Sequence, residues 1–133
     1  MIQANELRIG NLITSKQWRG YHKISGIEVT ETGYKVLVKG FWHECEDDKY
    51  FDIDSIPLTQ EILEKIIWFN QTDETTFEFE CTADYIIESQ EDWWYIGVKS
   101  ENSTNYFAWE IRYVHQLQNL CFAITNTELE INI

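Results

Sequence analysis

Three histidines and three cysteines are the residues of this chain that could bind a metal ion or act as nucleophiles. His43 and Cys45 are two positions apart, so on a strand their side chains would lie on the same side. A zinc site needs three or four converging ligands, and no CxxC, HxxxH or HExxH spacing supplies the others. A thiol nucleophile formed by Cys45 or Cys121 with His115 stays open, because such partners meet in space. We predict no catalytic residue, no metal site and no cofactor, with Cys121 in the core.

Carboxylates are abundant, and one dense run of them could bind a divalent cation: Glu44-Cys45-Glu46-Asp47-Asp48. The run lacks the alternating Asp or Asn residues, the central Gly and the final Glu of a calcium-binding loop, so a solvated loop is the favoured interpretation. Because the chain has twenty-three Asp and Glu residues, pairs of carboxylates at hydrolytic spacing carry no information. The six glycines are isolated, which argues against a phosphate-binding glycine loop.

The formal charge of −13 is unevenly distributed along the chain. Residues 1–40 hold six Lys or Arg and three Glu, a net +3, whereas residues 41–133 hold four basic and twenty acidic residues, a net −16. A field of that sign repels nucleic acid and anionic membranes and favours a basic protein face. We therefore predict a basic protein surface as partner, with no direct nucleic acid contact and no membrane. Solubility alone is the competing explanation of the same charge.

The segment from Glu88 to Tyr95 combines carboxylates with large aromatic residues. Adjacent residues of a strand point to opposite faces, so Trp93 and Tyr95 face outward if Trp94 faces inward with Ile96, and the reverse register exposes Trp94. Aromatic anchors with a charged rim are common at protein interfaces. A second layer, such as the C-terminal helix, could instead cover that face. The predicted partner-binding residues are Glu44, Glu46, Asp47, Asp48, Glu88, Glu91, Asp92, Trp93, Trp94 and Tyr95.

A weaker pattern of opposite charge lies in the first forty residues. Basic residues there are interleaved with aromatic ones, which resembles a nucleic-acid patch on a small barrel. The residues concerned are Arg19, Lys23, Lys35 and Lys39 with Trp18, Tyr21 and Tyr34. Their number is modest and the charge of the remaining chain opposes them, so they are not the predicted site.

Length and composition predict one soluble α+β domain over residues 1–133, rich in strands because aromatic residues fit half-buried sheet surfaces. Residues 1–57 predict a small antiparallel β-barrel or curled sheet. Residues 58–133 predict a middle helix of about ten residues, a second antiparallel strand group with a hairpin, and a C-terminal helix. Thr59 is the expected N-cap of the first helix, and Asn126 is expected to end the second in a left-handed conformation.

The odd, widely spaced cysteines are typical of a reducing compartment. No pattern of a secretory signal and no apolar run of membrane-helix length is present, so we expect a cytoplasmic protein.

Three segments together carry a family resemblance: Asn5-Glu6-Leu7-Arg8-Ile9-Gly10-Asn11, Ile56-Pro57-Leu58-Thr59, and Tyr113-Val114-His115-Gln116-Leu117-Gln118-Asn119-Leu120. The chain resembles, from end to end, a family of small uncharacterised proteins of Bacteroidetes genomes, prophages and phages. The resemblance implies the cytoplasm of a bacterial host and an accessory role. It implies no activity, so no functional residue is carried over from it.

The leading hypothesis is a non-enzymatic binding protein whose acidic second half docks on a basic protein. In its sharpest form it is an inhibitor that mimics nucleic acid and blocks a bacterial defence or nucleic-acid-binding protein. The alternatives are a small metal- or thiol-dependent enzyme using His43, Cys45 and His115, and a structural or assembly component of a phage particle. The oligomeric state is left open.

Overall fold

Most of the described residues lie in antiparallel strands, joined by two short helices, which confirms the α+β class. The computed structural model describes residues 2–3, 6–31, 33–44, 49–50, 53–66, 69–79, 85–90 and 93–132. The chain forms two compact units. Unit 1 comprises Met1–Pro57 and Tyr113–Glu128, and unit 2 comprises Leu58–Arg112 and Leu129–Ile133. The expected change of strand group after residue 57 falls at this boundary, whereas the C-terminal helix belongs to unit 1 and not to the second strand group.

Unit 1 is built on an open antiparallel sheet. Its strands are β1 (Ile2–Gln3), β2 (Leu12–Ser15), β3 (Tyr21–Thr30), β4 (Gly33–Val38), β5 (Phe41–Glu44), β6 (Lys49–Tyr50) and β7 (Ile53–Asp54). Five of them pair in the order β5-β4-β3-β2-β7, and β1 pairs with β6. The edge strands β5 and β7 do not pair with each other within the described residues, so of the two predicted alternatives the barrel is wrong and an open sheet is found.

The core of unit 1 lies on one face of this sheet and is made of β-branched residues. Val36 and Val38 of β4 are buried, as the alternation of that strand predicts. They pack with Ile13, Ile24 and Ile53 from the neighbouring strands. Helix α2 (Val114–Thr125) also belongs to unit 1, and it ends at Asn126 in the predicted left-handed conformation, at φ 55°.

Unit 2 is an antiparallel meander that follows a single helical turn. Its elements are α1 (Gln60–Glu64), β8 (Phe69–Gln71), β9 (Thr76–Phe79), β10 (Tyr85–Gln90), β11 (Trp93–Lys99) and β12 (Thr104–Ile111). The five strands pair in chain order from β8 to β12. The predicted hairpin of β11 and β12 is confirmed, and Phe77 and Phe79 point inward as the alternation of β9 predicts.

The first helix is shorter than the predicted ten residues. Thr59 is its N-cap, as expected, because its Oγ1 accepts a hydrogen bond from the backbone N–H of Ile62 at 3.3 Å. The helix ends after Glu64 because Ile66 already forms an antiparallel bridge with Ile131. Tertiary pairing has therefore overridden a helical periodicity that continues in the sequence.

Strand β12 departs from the uninterrupted alternation that its sequence predicts. Trp94 pairs with Ile111 and Ile96 pairs with Ala108, so β12 uses one residue more than β11 over this stretch. Glu110 has a positive φ of 64°, which is the backbone sign of such a bulge. A second register shift follows between Ile96 and Gly97. Bulges of this kind bend the strand and increase its twist.

Candidate functional site

The aromatic segment of β11 adopts one of the two registers that its sequence allows. Trp94 is only 7% exposed, and its Nε1 donates a hydrogen bond to the backbone oxygen of Leu58 at 3.2 Å. Trp93 and Tyr95 lie on the opposite side and are half-buried. Trp94 is therefore a core residue of unit 2 and not a contact residue, which corrects its place among the predicted partner-binding residues.

Trp93 and Tyr95 form an ordered aromatic pair. The Nε1 of Trp93 donates a hydrogen bond to the hydroxyl oxygen of Tyr95 at 2.7 Å. The guanidinium of Arg112 lies 4.8 Å from the ring centroid of Trp93, and the ring of Tyr106 lies 5.9 Å from that of Tyr95. These contacts fix the side chains before any partner arrives, which lowers the entropy cost of binding. We call these four residues together with Glu88 the Trp93 surface.

Glu88 provides the acidic part of the Trp93 surface. Its carboxylate accepts a hydrogen bond from the hydroxyl of Tyr106. This bond, followed by burial and by the charge of Glu88, raises the pKa of Tyr106 to about 12. On the same face, the Nζ of Lys99 lies 2.8 Å from a carboxylate oxygen of Glu78. Glu88 keeps its negative charge because its partner is a neutral hydroxyl, whereas the charge of Glu78 is paired with that of Lys99.

The two units differ strongly in charge. Unit 2 contains three basic residues and thirteen acidic residues, a net −10, whereas unit 1 contains seven and ten, a net −3. The exposed carboxylates of unit 2 include Glu61 and Glu64 in α1, Asp73 and Glu74 between β8 and β9, and Glu101. The negative charge is therefore concentrated in the unit that carries the Trp93 surface.

The remaining predicted partner-binding residues are separated in the structure. Glu44 is exposed at the end of β5 and belongs to unit 1, whereas Glu88 belongs to unit 2. The residues that lie outside the described ranges are Glu46, Asp47, Asp48, Glu91 and Asp92. Of the predicted set, the described structure brings together Glu88, Trp93 and Tyr95.

The candidate histidine and cysteine residues that the structure describes are buried in unit 1. His43 is buried with its ring 5.6 Å from that of Trp18, and Cys121 is buried in α2, as predicted. His115 is fully buried, and its Nε2 lies 3.0 Å from a carboxylate oxygen of Glu6. Burial lowers the pKa of His115, and the carboxylate of Glu6 opposes this shift. Cys45 lies outside the described residues, and the described ones include no group of three His, Cys, Asp or Glu that could hold a metal ion.

Two of the segments that carry the family resemblance are joined by a polar network within unit 1. Asn119 of α2 accepts hydrogen bonds from Arg8 and Asn11, at 3.1 and 2.8 Å, and donates one to the backbone oxygen of Glu6. Gln118 accepts from the backbone N–H of Leu12 at 2.8 Å. These side chains therefore join the two segments within unit 1, and their pattern in the sequence did not indicate that they meet.

A second candidate surface lies at one end of the unit 1 sheet. It combines the connection between β2 and β3 with the turn between β4 and β5. The ring of Trp18 lies 5.6 Å from that of Phe41, and the Nζ of Lys39 lies 5.7 Å from the Trp18 centroid. The sequence indicated the basic and aromatic character of this region, but Phe41 was not among its residues because a turn brings it there. We define the cationic–aromatic surface as Lys16, Trp18, Arg19, Lys39 and Phe41.

In comparisons with known proteins, no family model, no curated protein and no solved structure matches the chain. The resemblance drawn from the three sequence segments stays an expectation. Within the described residues, neither helix has the length and apolarity needed to cross a membrane.

Proposed function

We propose that this protein is a non-enzymatic binding protein whose acidic unit 2 docks on a basic protein surface. The observation that carries the proposal is the concentration of a net −10 in the unit that presents the preorganised Trp93 surface. A charged field of this kind steers a basic partner toward the unit, and ordered aromatic side chains supply the contact energy once it arrives.

In its sharpest form, the protein is an inhibitor that mimics nucleic acid. A basic channel that binds nucleic acid is the partner surface that a strongly acidic unit fits best, because the partner recognises negative charge there already. The bacterial or phage setting that the sequence resemblance implies favours a defence or nucleic-acid-binding protein of the host as that partner.

The proposal is tested by capture of host proteins on the immobilised protein at about 50 and about 300 mM salt, where screening differs strongly. We expect basic proteins to bind at low salt and to be released at high salt. Trp93→Ala weakens capture by about tenfold or more, as for a central aromatic contact. Neutralising Glu91 and Asp92 together weakens it further.

Matched controls separate the proposed surface from general acidity. Phe107→Ala removes another exposed aromatic residue of unit 2, and the pair Glu28→Gln and Glu31→Gln removes two charges from unit 1. These variants keep full capture. Failure to capture any basic protein, capture that is indifferent to salt, or equal losses in test and control variants would each contradict the proposal.

Two alternatives make different predictions. A metal- or thiol-dependent enzyme using His43, Cys45 and His115 predicts stoichiometric metal or a reactive thiol in the purified protein. A structural component of a phage particle predicts stable self-association in light scattering. The burial of His43 and His115 disfavours the first alternative, because neither imidazole is open to a substrate.

A further inference from the structure

The cationic–aromatic surface is opposite in character to unit 2, although the whole chain is strongly acidic. Residues 7–27 and 33–43 together contain six Lys or Arg and no Asp or Glu. Lys16, Arg19 and Lys39 are exposed at this end of the sheet. Three exposed basic side chains therefore lie at this end of the sheet, and Asp54, which pairs with Thr14, is a described carboxylate on the neighbouring strand β7.

A large apolar side chain is exposed at the same place. Phe41, whose ring contacts that of Trp18, is 62% exposed. An exposed aromatic ring beside exposed basic side chains is a common feature of binding surfaces.

Lys39 is held in a backbone conformation that its residue type disfavours. Lys39 and Gly40 are the two central residues of the β4–β5 hairpin, and both have positive φ, at 51° and 81°. Asn-Gly is the common choice for such a two-residue loop, because asparagine tolerates a left-handed conformation better than lysine does. A side chain that keeps a positive charge over Trp18 at the cost of local strain is a mark of function.

Two buried imidazoles adjoin the same aromatic cluster. The rings of His22 and His43 meet the ring of Trp18 at 78° and 90°, with centroids 5.9 and 5.6 Å away. Both residues are at least nine-tenths buried, and the Nε2 atom of each has no hydrogen-bond partner in the described structure. Both imidazoles lie beneath the ring of Trp18 and support its position from the inside of the sheet.

We propose that the cationic–aromatic surface binds single-stranded nucleic acid, with a base stacked on Phe41 beside Trp18 and phosphates held by Lys16, Arg19 and Lys39. Stacking bases on aromatic rings within a positively charged groove is the general chemistry of sequence-independent single-strand binding. An acidic peptide fits less well, because the faces of aromatic rings carry negative charge density and repel carboxylates. A duplex fits less well, because its bases are already stacked on one another.

This proposal departs from the expectation of no direct nucleic acid contact, which was based on the net charge of the chain. It concerns unit 1, whereas the proposed protein-binding function concerns unit 2. The variants that test the two ideas therefore do not overlap, and either can fail without the other.

The experiment measures fluorescence anisotropy of a labelled single-stranded oligothymidylate of about 12 nucleotides, within the usual site size of such proteins. We expect Phe41→Ala to weaken binding by about 5- to 150-fold, the loss of one stacked base. We expect Lys39→Asn to reduce the slope of log affinity against log salt by about 0.7, the loss of one phosphate contact. Because Asn-Gly suits the hairpin, Lys39→Asn keeps or raises the melting temperature, so loss of binding cannot be attributed to unfolding.

Control variants remove the same groups elsewhere. Phe107→Ala removes an aromatic residue that is 46% exposed in unit 2, and Lys65→Gln removes an exposed lysine there. Both keep the affinity of the unaltered protein. The proposal is overturned if the oligonucleotide does not bind at about 50 mM salt, or if Phe41→Ala and Phe107→Ala lose equal affinity. It is also overturned if a duplex binds as tightly, or if polyglutamate displaces the oligonucleotide as effectively as unlabelled oligothymidylate does.

Discussion

Replacing Asn119 by leucine tests whether the polar network of unit 1 holds the N-terminal segment on helix α2. The side chain of Asn119 accepts hydrogen bonds from Arg8 Nε at 3.1 Å and Asn11 Nδ2 at 2.8 Å. Its own Nδ2 donates to the backbone oxygen of Glu6 at 2.8 Å. Leucine has a similar volume and can make none of these bonds. The substitution therefore removes three hydrogen bonds without opening a cavity.

The size of the effect follows from where the three partners lie. Asn11 is completely buried, so its amide loses a partner that water cannot replace, which costs about 1–3 kcal/mol. The groups of Arg8 and Glu6 are partly buried, and losing each bond costs about 0.5–1.5 kcal/mol. The better helix propensity of leucine returns about 0.5 kcal/mol. The net loss is roughly 1.5–5.5 kcal/mol, which lowers Tm by roughly 5–30 °C for a chain of this length.

Thermal unfolding followed by circular dichroism measures this change, and two further variants calibrate it. Asn119→Asp keeps the acceptor for Arg8 and Asn11 and adds a charge that attracts Arg8, but it sets a carboxylate oxygen against the backbone oxygen of Glu6, so we expect a smaller loss of stability than for leucine. Asn70→Leu places leucine at an exposed asparagine of β8 and leaves Tm nearly unchanged. If Asn119→Leu melts like Asn70→Leu, or if leucine and aspartate at position 119 cost the same, the network does not hold the segment.

Three further predictions concern unit 2. Gly97→Ala lowers the free energy of unfolding, measured in urea, by about 1–3 kcal/mol. The new Cβ would lie 2.9 Å from Cγ2 of Thr104 and 3.0 Å from the backbone oxygen of Asn105. Unchanged stability would mean that β11 and β12 move apart at no cost and would contradict this reasoning. Glu88→Gln lowers the pKa of Tyr106 from about 12 toward 10.0, read from tyrosinate absorbance in an alkaline titration. Because the pKa of Tyr106 is raised in the folded state, the stabilisation by its hydrogen bond to Glu88 is complete below pH 10 and is lost as the pH rises to 12. If Tyr106 titrates in the variant as it does in the unaltered protein, the hydrogen bond to Glu88 is not formed. Thr59→Ala removes the N-cap bond of α1 and costs about 1 kcal/mol in urea unfolding, and a loss no larger than at an exposed strand threonine would contradict the cap.

Local rules accounted for several features of the fold. The alternation of β4 and β9 predicted which of their side chains are buried, because the side-chain period of a strand is two wherever the strand is regular. The caps at Thr59 and Asn126 followed from side-chain and backbone chemistry that depends on a few neighbouring residues. The pairing of β11 and β12 followed from two strand patterns separated by a polar turn.

The parts that failed depend on distant residues. The length of α1 was overestimated because Ile66 pairs with Ile131, sixty-five positions away. The regular alternation of β12 was wrong because its bulges arise from pairing with β11, which the sequence of β12 alone does not contain. The closed barrel was wrong because whether the edge strands of a sheet meet depends on the twist and stagger of every strand between them.

The candidate sites divide in the same way. From the sequence alone came the excess of acidic residues after position 40, the alternation that offers Trp93 or Trp94 to the surface, and the basic and aromatic character of the first forty residues. Composition and period do not depend on the fold, which is why they could be read directly. Only the tertiary structure decided that Trp94 is the buried member, because its indole finds the oxygen of Leu58, a partner thirty-six positions away. It also brought Phe41 and Lys39 to Trp18 through the turn between β4 and β5, since contacts between chain segments depend on strand pairing and not on residue type.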